Sequence, residues 1–200
     1  MHSLLIIAHR AGDSIEDLME PYWQDLEVEE YCDGEVSDWD KERFLEFYGE
    51  RDGKGYKESD FDSLYEKKGE DWNFNRWRKG PDGVWREYST SNPDMRWDWY
   101  EIGGRWAGRL ELKDGAEPLA PLHFSWGWSE EQKREVIEAT PRRADSAYLK
   151  DVANLDTLMA ADIMLNGEWI TLSDFEFVPV GERLGDLPGD TVITCVDYHM

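Results

Sequence analysis

Residues 2 to 8, HSLLIIA, open the chain with five consecutive apolar residues, Leu4 to Ala8, that include the β-branched Ile6 and Ile7. A run this short without polar alternation predicts a strand covered on both faces. Asp13 and Ser14 offer caps for a short helix that Pro21 stops. Over 25–36 acids alternate with Leu26, Val28 and Tyr31, the pattern of an extended segment. Over 38–49 Trp39, Phe44, Leu45 and Tyr48 form a helical stripe, and Gly49 stands where a C-terminal cap belongs. A loop follows over 50–60, then a further helix over FDSLYEKK.

Residues 69–95 carry Gly, Asn and Pro, yet also Trp72, Phe74, Trp77, Trp85 and Tyr88. So much aromatic surface is not left in water, so this stretch is expected to be ordered. Two strands are predicted over 96–102 and 105–112, joined at Gly103-Gly104, with RLELK alternating cleanly. Ser129 and Gln132 have the spacing of a capping box that opens a helix over EEQKREVIEA, ended by Pro141. Residues 142–158 carry no decisive pattern. In MAADIMLNGEWITL two apolar runs flank Asn166-Gly167, the preferred pair for a type I′ hairpin turn. A short helix is expected within DFEFVPVGERL, and a last strand in GDTVITCVDYHM through Val196. The mixture predicts an α+β fold in a single domain, 1–200. It has a mostly antiparallel sheet packed by helices on one side, with the first and last strands central. Residues 50–95 would be an aromatic-rich insertion or lid.

Charge narrows the partners. Against 22 Lys and Arg stand 45 Asp and Glu, a formal net charge of −23. Such a chain repels phosphate backbones, so direct nucleic-acid binding is not expected. The same charge suits a basic protein partner, by mimicry of DNA; acids at 29, 30, 33, 35, 38, 40 and 42 form a dense strip. Five apolar residues cannot span a bilayer, and the first segment lacks a basic leader, so no membrane association and a cytoplasmic location are expected. Cys32 and Cys195 are too few for a disulfide framework and are expected as thiols, Cys195 buried in a strand. Surfaces rich in Trp often self-associate, which makes a homodimer one possible state that the sequence does not decide.

Several chemistries are absent as motifs. There is no phosphate-binding GxxxxGK[ST], no GxGxxG after a strand, no HExxH and no GxSxG. The four His are scattered, so neither a metal nor a cofactor is expected. His123-Phe-Ser125 supplies one of the two His-x-Ser/Thr elements that a two-histidine phosphoesterase needs, and nothing supplies the other. The stretch WDWYEIGGRW, 97–106, stands out instead. As a strand it places Trp97, Trp99 and Glu101 on one side and Asp98, Tyr100 and Ile102 on the other. Gly103 and Gly104 then permit positive φ or a close approach. Arg105 offers a planar fork to phosphate or carboxylate, Trp106 a stacking face, and Arg96 lies just upstream. Arg109 joins the face of Arg105 if 104–112 is one regular strand. The architectural alternative makes the Trp side chains core, the glycines a hairpin corner, and Arg105 the partner of one of many acids.

NPDMRWDWYEIGGRWAGRL resembles the motif of a family of largely uncharacterised phage and bacterial proteins. Its pattern is Asn-Pro, three residues, then W-D-W-Y-x-I-G-G-R-W. The resemblance extends to an apolar first strand, to LMEPY (Leu18–Tyr22), to a strand–turn–strand from Ala161 to Trp169, and to a closing V-D-C-H-[IM] at Val196–Met200. Here Tyr198 replaces the usual Cys, so thiol chemistry is not carried over at that position. Segments 50–90 and 140–160 lie outside it. The family brings no established reaction, but a phage setting implies the cytoplasm of a bacterial host and an anti-defence use.

Three functions follow. First is a pocket of Trp97, Trp99, Tyr100, Gly103, Gly104, Arg105, Trp106 and Arg96 for a small anionic, nucleotide-like ligand, sequestering a bacterial defence signal. Second is an acidic DNA mimic that inhibits a nucleic-acid-binding protein. Third is a hydrolase using His199, Asp197 and Arg105, with Tyr100 in the same cleft. Asp197 and His199 share a strand face, where a frayed, solvated end is the competing reading. The pocket ranks first because the motif concentrates Trp and Gly, which charge mimicry does not need.

Overall fold

The computed structural model describes residues 1–74, 76–172 and 179–200. They form two compact units, Met1–Leu26 with Pro93–Met200, and Glu27–Asn92. Strand β1 (His2–His9) opens the first unit, and its residues 4–8 are all buried. Helix α1 (Ile15–Met19) starts at Ser14, whose hydroxyl accepts the Asp17 N–H at 3.2 Å. A 3₁₀ turn, Glu20–Tyr22, contains Pro21 and ends it.

The Glu27–Asn92 unit contains β2 (Tyr31–Glu35), α2 (Asp38–Asp52), α3 (Phe61–Asn73), β3 (Trp77–Lys79) and β4 (Trp85–Ser89). Its three strands pair antiparallel in the order β2-β4-β3. The extended segment expected over 25–36 is a strand only from Tyr31. Helix α2 runs one turn past Gly49 to a left-handed cap at Gly53, φ +64°. Gly49 lies inside the helix, where a Cβ would stand 2.7 Å from the Lys54 carbonyl oxygen. Much of the aromatic surface is packed, with Phe44 touching Tyr48, Phe61, Tyr65, Trp72 and Trp77 at centroid distances of 5.0–6.3 Å, but Phe74 is left exposed.

The first unit resumes with β5 (Trp99–Ile102), β6 (Leu110–Glu111), α4 (Glu130–Ile137), β7 (Arg143–Ala144), β8 (Ser146–Tyr148), β9 (Asp162–Leu165), β10 (Glu168–Thr171), α5 (Val180–Leu184) and β11 (Val192–His199). The main sheet has the order β10-β9-β1-β11-β5, with β8 also paired to β11. Only β1–β9 is parallel among these pairs, and β1 and β11 are central. The fold is α+β. The capping box at Ser129 and Gln132 forms with both its hydrogen bonds. The Asn166-Gly167 turn forms with φ of +53° and +81°. The expected strand over 105–112 does not form as one element: Gly104 and Gly108 both take positive φ, and pairing is limited to Leu110–Glu111 with β7 and a single bridge from Leu112 to Val152. The alternation there is nonetheless real, since Leu110 and Leu112 are buried. The helix expected in DFEFVPVGERL covers Val180–Leu184; residues 173–178 lie outside the described residues. Among the described residues no helix is long and apolar enough to cross a membrane.

Both faces of the sheet are covered, not one. Leu4, Ile6, Ala8, Ile193 and Cys195 face a core that includes Val180 and Leu184 of α5. Leu5, Ile7, Val196 and Tyr198 face a second core with Met19 and Leu18 of α1. This is why β1 reads as a continuous apolar run: each buried side chain contributes about 1.5–3 kcal/mol, and neither face can accept a polar one cheaply.

Candidate functional site

The site is made by strand register. On β1, β11 and β5 the residues His2, His199 and Trp99 lie opposite one another in one row. Leu4, Asp197 and Glu101 form the next row on the same face. The core of that face thus gives way to a polar end. The imidazole rings of His2 and His199 are 5.1 Å apart, close to the spacing of adjacent strands, and Trp99 meets His2 edge-on at 5.6 Å. A one-residue slip of β11 would move Asp197 and His199 to the opposite face.

Each imidazole is held through Nδ1. That of His2 lies 3.0 Å from Asp197 Oδ1, and that of His199 lies 2.9 Å from Asp98 Oδ1. Asp197 is fully buried, and its other oxygen accepts the Arg105 N–H at 3.0 Å. One carboxylate therefore fixes both a ring and the backbone of the neighbouring arginine. The His199 hydrogen bond holds the Asp98 carboxyl below the usual carboxylate range. Asp197 and His199 are not partners, as their shared face already implied, and His199 is in the strand rather than in a frayed end.

The glycines serve this arrangement. Gly103 and Gly104 have φ of +71° and +60°. A Cβ on Gly103 would stand 2.3 Å from Asp145 Oδ2, and one on Gly104 would stand 2.8 Å from Asp197 Oδ2. The close approach expected here is made by buried carboxylates, so the glycines do not open the backbone to a ligand. Asp145 accepts the Gly108 and His123 N–H groups at 2.6 and 2.7 Å. Its burial pushes the carboxyl up, against the pull of those two bonds. The Gly104 N–H donates to the His123 carbonyl, and the Gly104 carbonyl accepts the Trp128 indole N–H at 3.0 Å. This lays the 123–128 loop beside Arg105.

The result is a cavity of about 760 Å³ whose walls include His2, His199, Asp98, Trp99, Arg105 and Trp126, with Ser125, Trp128 and Gln132 at its loop side. The Arg105 guanidinium, exposed, makes no hydrogen bond or ion pair with a described residue. Trp99 is 42% exposed and Trp126 95%.

No family model, curated protein or solved structure matches this chain. Of the residues expected at the site, Trp99, Arg105 and His199 meet in the cavity, and Asp197 supports it from behind. Trp97 and Tyr100 do not join them. Strand β5 begins at Trp99, so Trp97 falls out of the alternation and packs with Tyr100 at 4.8 Å in the core of the other face. The Trp97 indole N–H donates to the Met19 carbonyl there. Tyr100 cannot serve a reaction beside His199, and its burial pushes the phenol up. Trp106 and Arg109 line a separate cavity of about 550 Å³, Arg109 lying 5.0 Å over the Trp106 ring. The turns at 103–108 separate Arg109 from Arg105. Arg96 donates to its neighbour, the Met95 carbonyl, at 2.8 Å and is absent from the cavity wall.

Sequence reasoning missed His2, Asp98, Trp126 and Trp128. Only the neighbour of Trp97 in the motif hinted at Asp98; His2 needed the β1–β11 register. Glu101 lies 3.1 Å from His123 Nε2, which places a third histidine beside the site. Among the described residues no group of three or more His, Cys, Asp or Glu is placed to hold a metal ion. A cavity of about 830 Å³ on the other unit is larger, but Asp38, Glu42, Glu46, Glu50 and Glu58 outnumber Lys41 and Lys54 along its lining, an unfavourable balance for an anion. The acidic strip is exposed at Glu29, Asp33, Glu35, Asp38 and Glu42, while Glu30 is forked by Arg78 at 2.5 and 2.6 Å.

Proposed function

We propose that this cavity binds a small phosphate-bearing, nucleotide-like ligand. The observation that carries the reading is the Arg105 guanidinium, without a partner among the described residues, lining one cavity with the open Trp99 and Trp126 rings. In a chain with twice as many acids as bases, a guanidinium without a carboxylate is free to fork a phosphate. Trp126, at 95% exposure, offers both faces to a base. Covering roughly half of a Trp surface removes about 100 Å² from water, worth about 2.5 kcal/mol. The likeness of WDWYEIGGRW to phage and bacterial sequences supports a nucleotide signal of a bacterial host as the ligand, with lowering of its free concentration as the use.

The test is Trp-fluorescence titration and thermal shift against mono-, di- and cyclic nucleotides, with wild type beside Arg105→Ala and Trp126→Ala. A ligand at 100 times its Kd adds about 2.7 kcal/mol of stability. The expected result is a shift that both variants weaken while their own folds persist. Silence of folded wild type across the panel overturns the reading, and the exposed acids at Glu29, Asp33 and Glu35 then become the surface to test against basic proteins.

A further inference from the structure

Resting on that binding reading, we infer that His2 and His199 are a general acid–base pair that hydrolyses a small phosphodiester held by Arg105. An ionised carboxylate only accepts, so Asp197 and Asp98 each fix a proton on the Nδ1 that faces them. Each neutral ring then presents a bare Nε2, and each protonated ring presents an Nε2–H. Neither Nε2 makes a hydrogen bond with a described residue. Both rings line the same cavity as Arg105, and their centres are 5.1 Å apart, so one phosphodiester can reach both. Two imidazoles with fixed tautomers, idle outer nitrogens and a shared cavity exceed what binding alone needs.

The step balances without a further reactant than water. A water oxygen bonds to phosphorus as its proton passes to Nε2 of the neutral imidazole. The phosphorus–oxygen bond to the leaving group breaks, and that oxygen takes the proton from Nε2 of the other, protonated ring. The phosphate charge stays on the Arg105 fork, where it is met as it develops. The two rings end with their protonation exchanged, and proton exchange with solvent restores them. The substrate class follows from charge and size. A chain of −23 repels long polyanions, and a cavity of about 760 Å³ suits a ligand of one or two nucleotides. Cyclic mononucleotides and cyclic dinucleotides fit both limits, with Trp99 and Trp126 to take the bases.

The experiment incubates the full chain with 3′,5′-cyclic AMP, 2′,3′-cyclic AMP, cyclic di-AMP and bis(p-nitrophenyl) phosphate. Products are read by chromatography and mass, and binding is read separately by Trp fluorescence. His2→Gln, His199→Gln and Arg105→Ala run beside wild type, with circular dichroism and melting to verify folding. The expected result is hydrolysis of at least one probe, slowed by about 10²–10⁴-fold in either His variant while binding changes less than about threefold. Arg105→Ala loses binding and turnover together. Binding without hydrolysis of any probe overturns the acid–base pair and leaves the binding reading standing. Hydrolysis that survives in both folded His variants also overturns it. Absence of binding to every probe overturns both readings. If Gln at position 2 unfolds the chain, His199→Gln alone carries the test, since residue 199 is 39% exposed in its side chain.

Discussion

Gly103→Ala tests whether the Gly-Gly pair of the central motif is there for a buried carboxylate. The added methyl stands 2.3 Å from Asp145 Oδ2 and 2.7 Å from the His123 carbonyl oxygen, at a φ of +71°. Two costs add. The left-handed backbone costs about 1–2 kcal/mol once a Cβ is present. The overlap then drives Asp145, 1% exposed, off the His123 N–H that its Oδ2 accepts at 2.7 Å. A hydrogen bond to a charged, buried group is worth about 1.5–3 kcal/mol. The sum is about 2.5–5 kcal/mol, a large share of a domain's stability. Gly115→Ala isolates the first cost: its φ is +81°, and nothing lies within 4 Å of its added Cβ. Urea unfolding followed by Trp fluorescence gives both, provided the m-values agree. Gly103→Ala is expected to lose about 1.5–3 kcal/mol more than Gly115→Ala. Adding Asp145→Ala should make the double variant less destabilised than the sum of the singles, because the obstacle is gone. Equal losses at Gly103 and Gly115, or strict additivity with Asp145→Ala, would refute the reasoning and leave the space beside Gly103 to some other occupant.

Three further outcomes follow from single contacts. Ser129→Ala removes the hydroxyl that accepts the Gln132 N–H at 3.2 Å, and should cost about 1 kcal/mol in the same urea assay; no loss would mean the box does not stabilise α4. Cys195 is fully buried, and burial pushes its thiol up, whereas Cys32 is exposed. A thiol reagent should therefore find one fast cysteine per folded chain and the second only in denaturant, and two fast thiols would contradict the packing of β11. The His199 hydrogen bond lowers Asp98 in the folded state, so the stability it lends is present above the unfolded carboxylate pKa, about 3.9, and is lost as pH falls through the lowered value. The stability difference between wild type and His199→Ala should shrink as pH drops below about 4, and a difference that grows there would reverse the sign of the argument.

Much of the fold was legible because its determinants are local. The apolar run of β1, the Ser129–Gln132 box and the Asn166-Gly167 turn each act within a few residues, through burial, capping and backbone preference. The same locality misled at Gly49 and over 105–112: each pattern fitted its element, but a helix turn more and two glycines at positive φ decided otherwise. Within the motif 97–106, Trp99 and Arg105 line one cavity, while Trp97 and Trp106 lie elsewhere. How it divides was not legible. Whether Trp97 or Trp99 faces the cavity depends on where β5 starts its alternation, and that start is set by pairing with β11. His2 carried no signal of its own. It joins His199 only because β1 and β11 pair antiparallel with those two residues opposed, a choice made by two buried cores that must each receive every second side chain. By itself the sequence determined the first strand, the Ser129 capping box, the Asn166-Gly167 turn, the α+β class and a net charge of −23. The tertiary structure alone decided which carboxylate holds which imidazole and which tryptophans meet Arg105, since such juxtaposition rests on register between distant strands and not on any pattern along the chain.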